Sequence, residues 1–270
     1  MATASSTFNA VDGDGYERQM GRWSRLLADP FLDFIGTAGD ERILDVGCGT
    51  GSLAFALARR SEVKEVRGVD FSPAYIEHAK RNNHDPRIRF EVGDACALDL
   101  GDARFDRVLS LLMLHFVPSA DLAIADMRRV SRPGAVVGAA VWDARGGFVA
   151  NRLFFDTAAA LDPKANERRS RNYTRPMTRP GELGRAWRAA GLTDVVETTL
   201  CIRMEFASWD DYWSPYVAKD GPGAEYVAAL TDAERSRLHD AVRLAYLDGE
   251  TDGSRSYAAL AWAVKGIVPG

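Results

Sequence analysis

The chain holds little cysteine: Cys48, Cys96 and Cys201 are its three, far apart, with no CxxC pair and no adjoining histidine. So sparse and odd a count excludes a disulfide framework and a structural zinc site, and it fits a reducing compartment. There is no excess of positive charge either, since 34 Lys and Arg stand against 38 Asp and Glu, a net charge of −4. A basic face displaces counterions from phosphate, so this balance speaks against nucleic acid as a partner. No apolar run approaches the ~18 residues that a membrane span needs. No basic stretch leading into an apolar run opens the sequence, so no secretory signal is expected and the expected compartment is the cytoplasm. The oligomeric state stays open, with a homodimer one candidate.

What is present is ordinary for a folded domain: 270 residues, 46% hydrophobic and 27% charged. That length allows one large domain, or a domain with an appendage, without help from disulfides or metal. Residues 1–15 are small and polar and are expected to be a disordered, mobile tail. From Tyr16 the apolar positions Trp23, Leu26, Leu27, Phe31, Phe34 and Ile35 recur at helical spacing. Pro30 should break this helix or start a second one. The spacing thus gives a helical N-terminal segment over 16–39.

Beyond it strands and helices alternate. Residues 42–46 form a short apolar run ending in glycine, followed by an Ala/Leu-rich helix over 53–60. Residues 65–70 are the next strand, and Ser72-Pro73 supplies an N-cap and an N1 proline for a helix over 74–82. Strands at 88–92, 106–114 and 135–142 follow, with a helix over 120–130. This alternation means βαβ units, a parallel sheet and a three-layer α/β/α sandwich. The rhythm then breaks. Residues 148–179 are mixed and basic, 181–190 helical, 194–206 a strand, 209–216 and 232–247 helical, and 255–268 a last strand. The basic stretch Arg168, Arg169, Arg171 and Arg175 reads as a solvated loop in preference to a phosphate-binding patch.

The sharpest signal is Asp45-Val46-Gly47-Cys48-Gly49-Thr50-Gly51, directly after one strand and before a helix. Glycines at alternate positions let the backbone turn tightly and approach a ligand without a Cβ in the way. The following helix offers unpaired N–H groups beside that turn. A dinucleotide fingerprint requires a third glycine where Ser52 stands, and no phosphate P-loop string occurs. Asp70 ends the next strand, where a carboxylate can accept both ribose hydroxyls of a nucleoside. A nucleoside without a pyrophosphate is the better match, and a nicotinamide oxidoreductase the poorer one.

At these residues the sequence resembles the class I S-adenosylmethionine-dependent methyltransferases, in the small-molecule branch that includes quinone C-methyltransferases. ILDVGCGTG (43–51), VDFS (69–72) and GDACALDL (93–100) match their first three motifs in order. FDRVLSLLMLHFV (105–117) and MRRVSRPGAVVGAAVWD (127–143) look like their fourth and fifth strands. The resemblance implies a Rossmann-like, mostly parallel seven-stranded sheet over 40–270, with helical insertions at about 148–180 and 208–250 forming a lid or appendage. It implies S-adenosyl-L-methionine as cofactor. Gly47, Cys48 and Gly49 would line its methionine and ribose part, with Asp45 near the ammonium. Asp70 would bind the ribose and Phe71 would cover the adenine. Asp94 would accept from the adenine amine and Ala95 would offer its backbone. Leu111 would give a carbonyl to the cofactor, and Tyr16 and Arg22 would close over the methionine end.

The base candidate is His115, near the end of the fourth strand, although a histidine in the string LLMLHFV is read first as a satisfied core residue. Ser110-Leu111-Leu112-Met113 stands where enzymes of this family acting on base amines or glutamine carry an Asp/Asn-Pro-Pro-aromatic string, which disfavours those acceptors. The aromatic appendage suits a small, largely apolar or aromatic acceptor, with Tyr173 and Trp213 as expected substrate contacts. No metal constellation is visible. The leading expectation is methyl transfer to O, N or C of a small molecule. The alternative is a catalytically silent S-adenosylmethionine-binding module that acts through a partner protein.

Overall fold

A computed structural model describes residues 6–8, 12–60, 62–218 and 221–270. The N-terminal segment folds as a short helix α1 (Gly13–Tyr16), a π-helical turn (Glu17–Gly21) and α2 (Arg22–Ile35). Asp12 caps α1 by accepting from the Asp14 amide at 3.1 Å. Contrary to expectation, Pro30 lies inside α2 and does not break it. A proline forfeits the bond to the carbonyl four residues earlier, here that of Leu26, whose side chain is 50% exposed. Water on that open side of the helix can replace the missing donor.

The alternating core then runs β1 (Arg42–Val46), α3 (Ser52–Arg60), β2 (Glu65–Asp70), α4 (Pro73–Arg81), β3 (Ile88–Val92), β4 (Phe105–Leu111), α5 (Ala120–Val130) and β5 (Ser131–Trp142). The Ser72 side chain accepts from the Tyr75 amide at 3.2 Å, the N-cap expected from Ser-Pro. The remaining elements are α6 (Val149–Leu161), α7 (Pro163–Tyr173), α8 (Glu182–Ala189), β6 (Thr193–Phe206), α9 (Trp209–Trp213), α10 (Pro222–Ala228), α11 (Asp232–Leu247) and β7 (Arg255–Ile267). Helix α10 had no counterpart in the sequence reading, because its seven residues carry too little periodicity to stand out.

Seven strands form one sheet in the order β3-β2-β1-β4-β5-β7-β6. β1 to β5 pair in parallel, while β7 runs antiparallel between β5 and β6. Strands buried on both faces must send alternate side chains into two cores. Ile43 accordingly meets Leu27, Phe31 and Leu57 on one face. Its neighbours Leu44 and Val46 meet Ile124, Met127 and Trp187 on the other. The Trp187 indole donates to the Val137 carbonyl at 2.9 Å, tying α8 to the sheet. These two cores make the three layers of the sandwich.

Strand β4 ends three residues before its expected limit. Leu112 takes a left-handed backbone, φ +63°, and turns the chain into a 3₁₀ turn (Leu114–Phe116). Its amide still reaches the Ala140 carbonyl at 2.8 Å, so the turn stays anchored to β5. A non-glycine residue held there carries strain, which the surrounding structure must support.

Helices α6 and α7 follow β5, and α9 to α11 lie between β6 and β7, so both excursions leave the sheet at its C-terminal edge. Phe154 and Tyr216 stack at 3.9 Å, and the buried Tyr212 hydroxyl donates to the Ala150 carbonyl at 2.8 Å. These contacts weld the two excursions into one aromatic body. Of the expected mobile tail, residues 1–5 and 9–11 lie outside the described residues. Thr7, in contrast, is placed: its amide bonds the Phe116 carbonyl at 2.8 Å, and the Phe8 ring meets Phe116 at 4.7 Å.

Candidate active site

The turn after β1 is latched to the end of β2, since the Gly47 and Cys48 amides both donate to the Val69 carbonyl, at 2.7 and 3.0 Å. Two of its glycines have different reasons to be there. At Gly47, φ +73°, an added Cβ would stand 2.3 Å from the Met113 side chain, so this position is closed by packing. At Gly49, φ +53°, an added Cβ would meet nothing nearer than Tyr75 at 4.0 Å, because it would project into open space. Gly49 is therefore where backbone is laid bare to a ligand.

That space is a cavity of about 1300 Å³, mouth included. It runs from Gly47, Gly49, Asp70 and Phe71, past Leu111, Leu112, Met113 and His115, into the aromatic body at Trp142, Phe206, Tyr212 and Tyr216. A side recess continues between Phe71, Asp94, Ala95 and Val117. The short left-handed turn at Leu112 is what sets Met113 and His115 on the wall, and nothing in the sequence announces it.

Asp70 stands between cavity and recess. Its two carboxylate oxygens accept from the Gly49 and Ser72 amides, each at 2.9 Å. Burial raises its pKa, and these two amides oppose the rise. Two fixed donors aim the carboxylate and leave lone pairs free for a pair of hydroxyls. In the recess the Asp94 carboxylate accepts from the Cys96 amide at 2.8 Å, which orients it likewise.

Asp45 lies behind the turn, 1% exposed, and does not reach the cavity wall. Neither of its oxygens has a hydrogen-bond partner among the described residues. Burial, reinforced by the charge of Asp70 and only partly offset by an Ala54 amide that falls short of hydrogen-bond geometry, pushes its carboxyl up to about 8. A buried carboxyl left unpartnered awaits a donor or a cation. Cys48 is buried beside it with its side chain off the wall, and burial drives its thiol far up.

The N-terminal segment covers one side. Tyr16, Gln19 and Met20 line the cavity. The Tyr16 hydroxyl bonds Ser24 at 3.1 Å, its ring rests 5.1 Å from Tyr75, and burial pushes its phenol up to about 12. Glu17 accepts from the hydroxyl of Thr50, so the π-helical turn clasps the glycine turn directly. Arg22 is directed elsewhere. It bonds Asp211 at 2.9 Å and lies 4.2 Å over the Trp23 ring, bracing α2 against α9 and not lining the cavity.

His115 lines the cavity at 5% exposure, with its ring against Phe116 at 4.1 Å. Its Nδ1 has no hydrogen-bond partner among the described residues, and burial, helped by the nearby Arg175, lowers its pKa to about 3. The imidazole is therefore neutral. Tyr173 and Trp213, the expected substrate contacts, do not line the cavity. The Tyr173 hydroxyl is held by Asp156 at 3.2 Å, and Trp213 stacks on Trp209 at 5.3 Å inside the aromatic body. Their places on the wall are taken by Tyr212, Tyr216 and Phe206, along with Asn151, Asn172 and Arg175. Tyr212 and Tyr216 are one and three residues from Trp213 in the same aromatic string, so only the helical phase was missing from the sequence. No cluster of His, Cys, Asp and Glu able to hold a metal occurs among the described residues, and no helix there is long and apolar enough to cross a membrane.

The oriented carboxylates, the bared Gly49 backbone and the orphaned Asp45 fit an adenosine-bearing sulfonium amino acid: hydroxyl acceptors for a ribose, an acceptor for an adenine amine, and a buried carboxyl that an ammonium would ionise. Residues 43–134 match the family model for a methyltransferase domain. Among curated relatives, 27-O-demethylrifamycin SV methyltransferase of Amycolatopsis mediterranei is 35% identical over 112 residues, 40% of this chain and 41% of that protein. Demethylmenaquinone methyltransferase of Renibacterium salmoninarum is 36% identical over 116 residues, 43% of this chain and 46% of that protein. The chain thus spans less than half the length of these two relatives. Haemonchus contortus phosphoethanolamine N-methyltransferase 2, solved with S-adenosyl-L-methionine, shares the fold at a TM-score of 0.59 and 17% identity, over 96% of this chain and 57% of that one. Residues 43–134 thus carry a methyltransferase domain, and the described chain shares the Rossmann-like α/β/α sandwich of its solved neighbour.

Proposed function

We propose that the protein is an enzyme that methylates a small, largely apolar or aromatic molecule on oxygen, nitrogen or carbon. One observation carries this reading: the cavity that begins at Gly49 and Asp70 continues without a wall into the aromatic body, so cofactor and acceptor would share one chamber. When bound, S-adenosylmethionine supplies an electrophilic methyl group on a sulfonium sulfur. Asp70 would take the ribose hydroxyls, while Asp94, with the Ala95 backbone, would take the adenine and Phe71 would cover it. The glycine turn would pass under the methionine part, with Asp45 beneath it, and the Leu111 carbonyl and the Tyr16 ring would flank it.

In-line displacement demands orientation and exclusion of water more than acid–base help. The segment bearing Tyr16, Gln19 and Met20 supplies the cover, and Trp142, Phe206 and Tyr212 hold the flat or apolar body of the acceptor. Neutral His115 would hold the acceptor's reacting group by a hydrogen bond. Calorimetry with S-adenosylmethionine, its demethylated product and NAD, followed by turnover on phenols, quinones, amines and apolar acids, tests the reading. Binding of the first two without NAD, with turnover in one acceptor class, is expected. Absence of binding to the demethylated product refutes it.

A further inference from the structure

Resting on the reading above, the charges on the cavity wall narrow the acceptor further. Among the described residues that line the main cavity, only Asp70 and Arg175 carry a charge, and Asp70 belongs to the cofactor end. Of the other arginines of the basic run, Arg168 pairs with Glu225 at 2.6 Å, Arg169 pairs with Asp156 at 3.1 Å, and Arg171 is exposed. Arg175 forms no ion pair among the described residues. It donates to the Asn172 side-chain oxygen at 3.1 Å and to the Thr7 hydroxyl at 3.2 Å, and its guanidinium lies 4.4 Å over the Phe116 ring. Asn172 is itself only 6% exposed and also lines the cavity.

A half-buried guanidinium without a counter-ion pays a desolvation cost that only an anion recovers in full. Burial lowers its pKa to about 10 although the charge of Glu225 opposes the fall, so it remains a cation at neutral pH. Among the described residues the one anion whose charge reaches it, Glu225, is already paired with Arg168, while His115 is neutral and Phe116 presents a ring face. A planar guanidinium matches a carboxylate in two parallel hydrogen bonds, which a neutral amide or alcohol cannot reproduce.

We propose that Arg175, steadied by Asn172, binds an anionic group of the methyl acceptor, a carboxylate above all, so that the pocket selects apolar acids over their neutral counterparts. The geometry leaves the acid as an anchor or as the methylated group itself, and the two are separated by whether product is an ester.

The test is calorimetry on the full chain saturated with S-adenosylhomocysteine, titrated with decanoate and 1-naphthoate and with decanamide and 1-naphthamide. At least one acid should bind about 10- to 100-fold more tightly than its amide. Arg175→Gln should remove that preference, Arg175→Lys should restore part of it, and both should keep the wild-type affinity for S-adenosylhomocysteine. Equal binding of acid and amide by the wild type, or no binding of either acid, overturns the proposal without any variant having to fold. If Arg175→Gln weakens S-adenosylhomocysteine instead and spares acid preference, the cation serves the cofactor's own carboxylate and the proposal fails. Failure of the wild type to bind S-adenosylhomocysteine at all is the distinct result that would overturn the methyltransferase reading itself.

Discussion

Replacing Asp45 by asparagine removes a buried ionisable group while keeping its shape. In the fold the carboxyl sits at about 8, against 3.8 for an unperturbed aspartate. Between those values the folded chain keeps a proton that the unfolded chain has already released. Stability therefore falls as pH rises through this window, by ~1.4 kcal/mol per unit for a single group. From about pH 5 to about pH 7 the wild type should lose roughly 2.7 kcal/mol on this account alone, whereas asparagine has no proton to lose. The stability gap should widen in favour of Asp45→Asn by that amount, or about 5–10 °C in Tm for a chain of this size. Outside the window, below about pH 4 and above about pH 8, the gap should be constant. Calorimetric melts of both proteins without ligand, at fixed ionic strength, read this directly. Parallel curves across the window would mean that Asp45 is ionised in the fold, and the argument from burial would be wrong. A cation bound against Asp45 would lower its pKa, so cofactor binding below about pH 8 should also release a proton, seen as an enthalpy that varies with buffer.

Asp70→Ala should weaken S-adenosylhomocysteine binding about 30-fold, or ~2 kcal/mol, because a doubly oriented carboxylate is lost; an unchanged affinity in a folded variant would remove Asp70 from the site. Gly49→Ala should cost about 1 kcal/mol of stability through its positive φ yet nearly abolish cofactor binding, since the new methyl enters open cavity; wild-type affinity by calorimetry would show that the glycine serves only the turn. The His115 ring, followed by NMR in the ligand-free protein, should not titrate between about pH 5 and pH 8; a midpoint near ~6.5 would contradict its burial. Phe154→Ala should destabilise the protein by about 3–5 kcal/mol, read by denaturant unfolding, because the ring is fully buried and stacked on Tyr216; a loss under ~1 kcal/mol would mean that the two excursions fold independently of each other.

Most of the sandwich was legible because strong local signals coincide there. The run ILDVG sets β1, and Ser72-Pro73 fixes the start of α4. Pro30 misled because a proline's cost depends on what solvates the abandoned carbonyl, which no local string records. The end of β4 was missed for a related reason. Leu112 adopts its left-handed backbone under tertiary constraint, not by propensity. Among the residues expected at the site from strand ends and the glycine turn, Gly47, Gly49, Asp70, Phe71 and Leu111 line the cavity, while Asp45 and Cys48 lie behind it. The appendage misled in both directions: Tyr173 and Trp213 turn away from the cavity, while Arg175, read as part of a solvated loop, turns toward it. An aromatic string announces that rings will pack together, but which of them face a cavity is settled by helical phase over one or two residues.

The passage from β6 to β7 has a consequence for how such a protein can change. The chain leaves the sheet at Phe206 and returns at Arg255, and these two residues face each other as a rung of the ladder. A tight hairpin turn would close the same ladder, so everything between is an insert whose two ends already meet. Lengthening a loop whose ends are held together adds only slowly to its closure entropy. The segment from 207 to 254 can thus be exchanged for another of different length and lining while β6 and β7 keep their register. The half of the chamber formed by Tyr212 and Tyr216 is in that sense a cassette, and the acceptor can be altered by replacing one contiguous stretch while the glycine turn, Asp70 and Asp94 stay where they are.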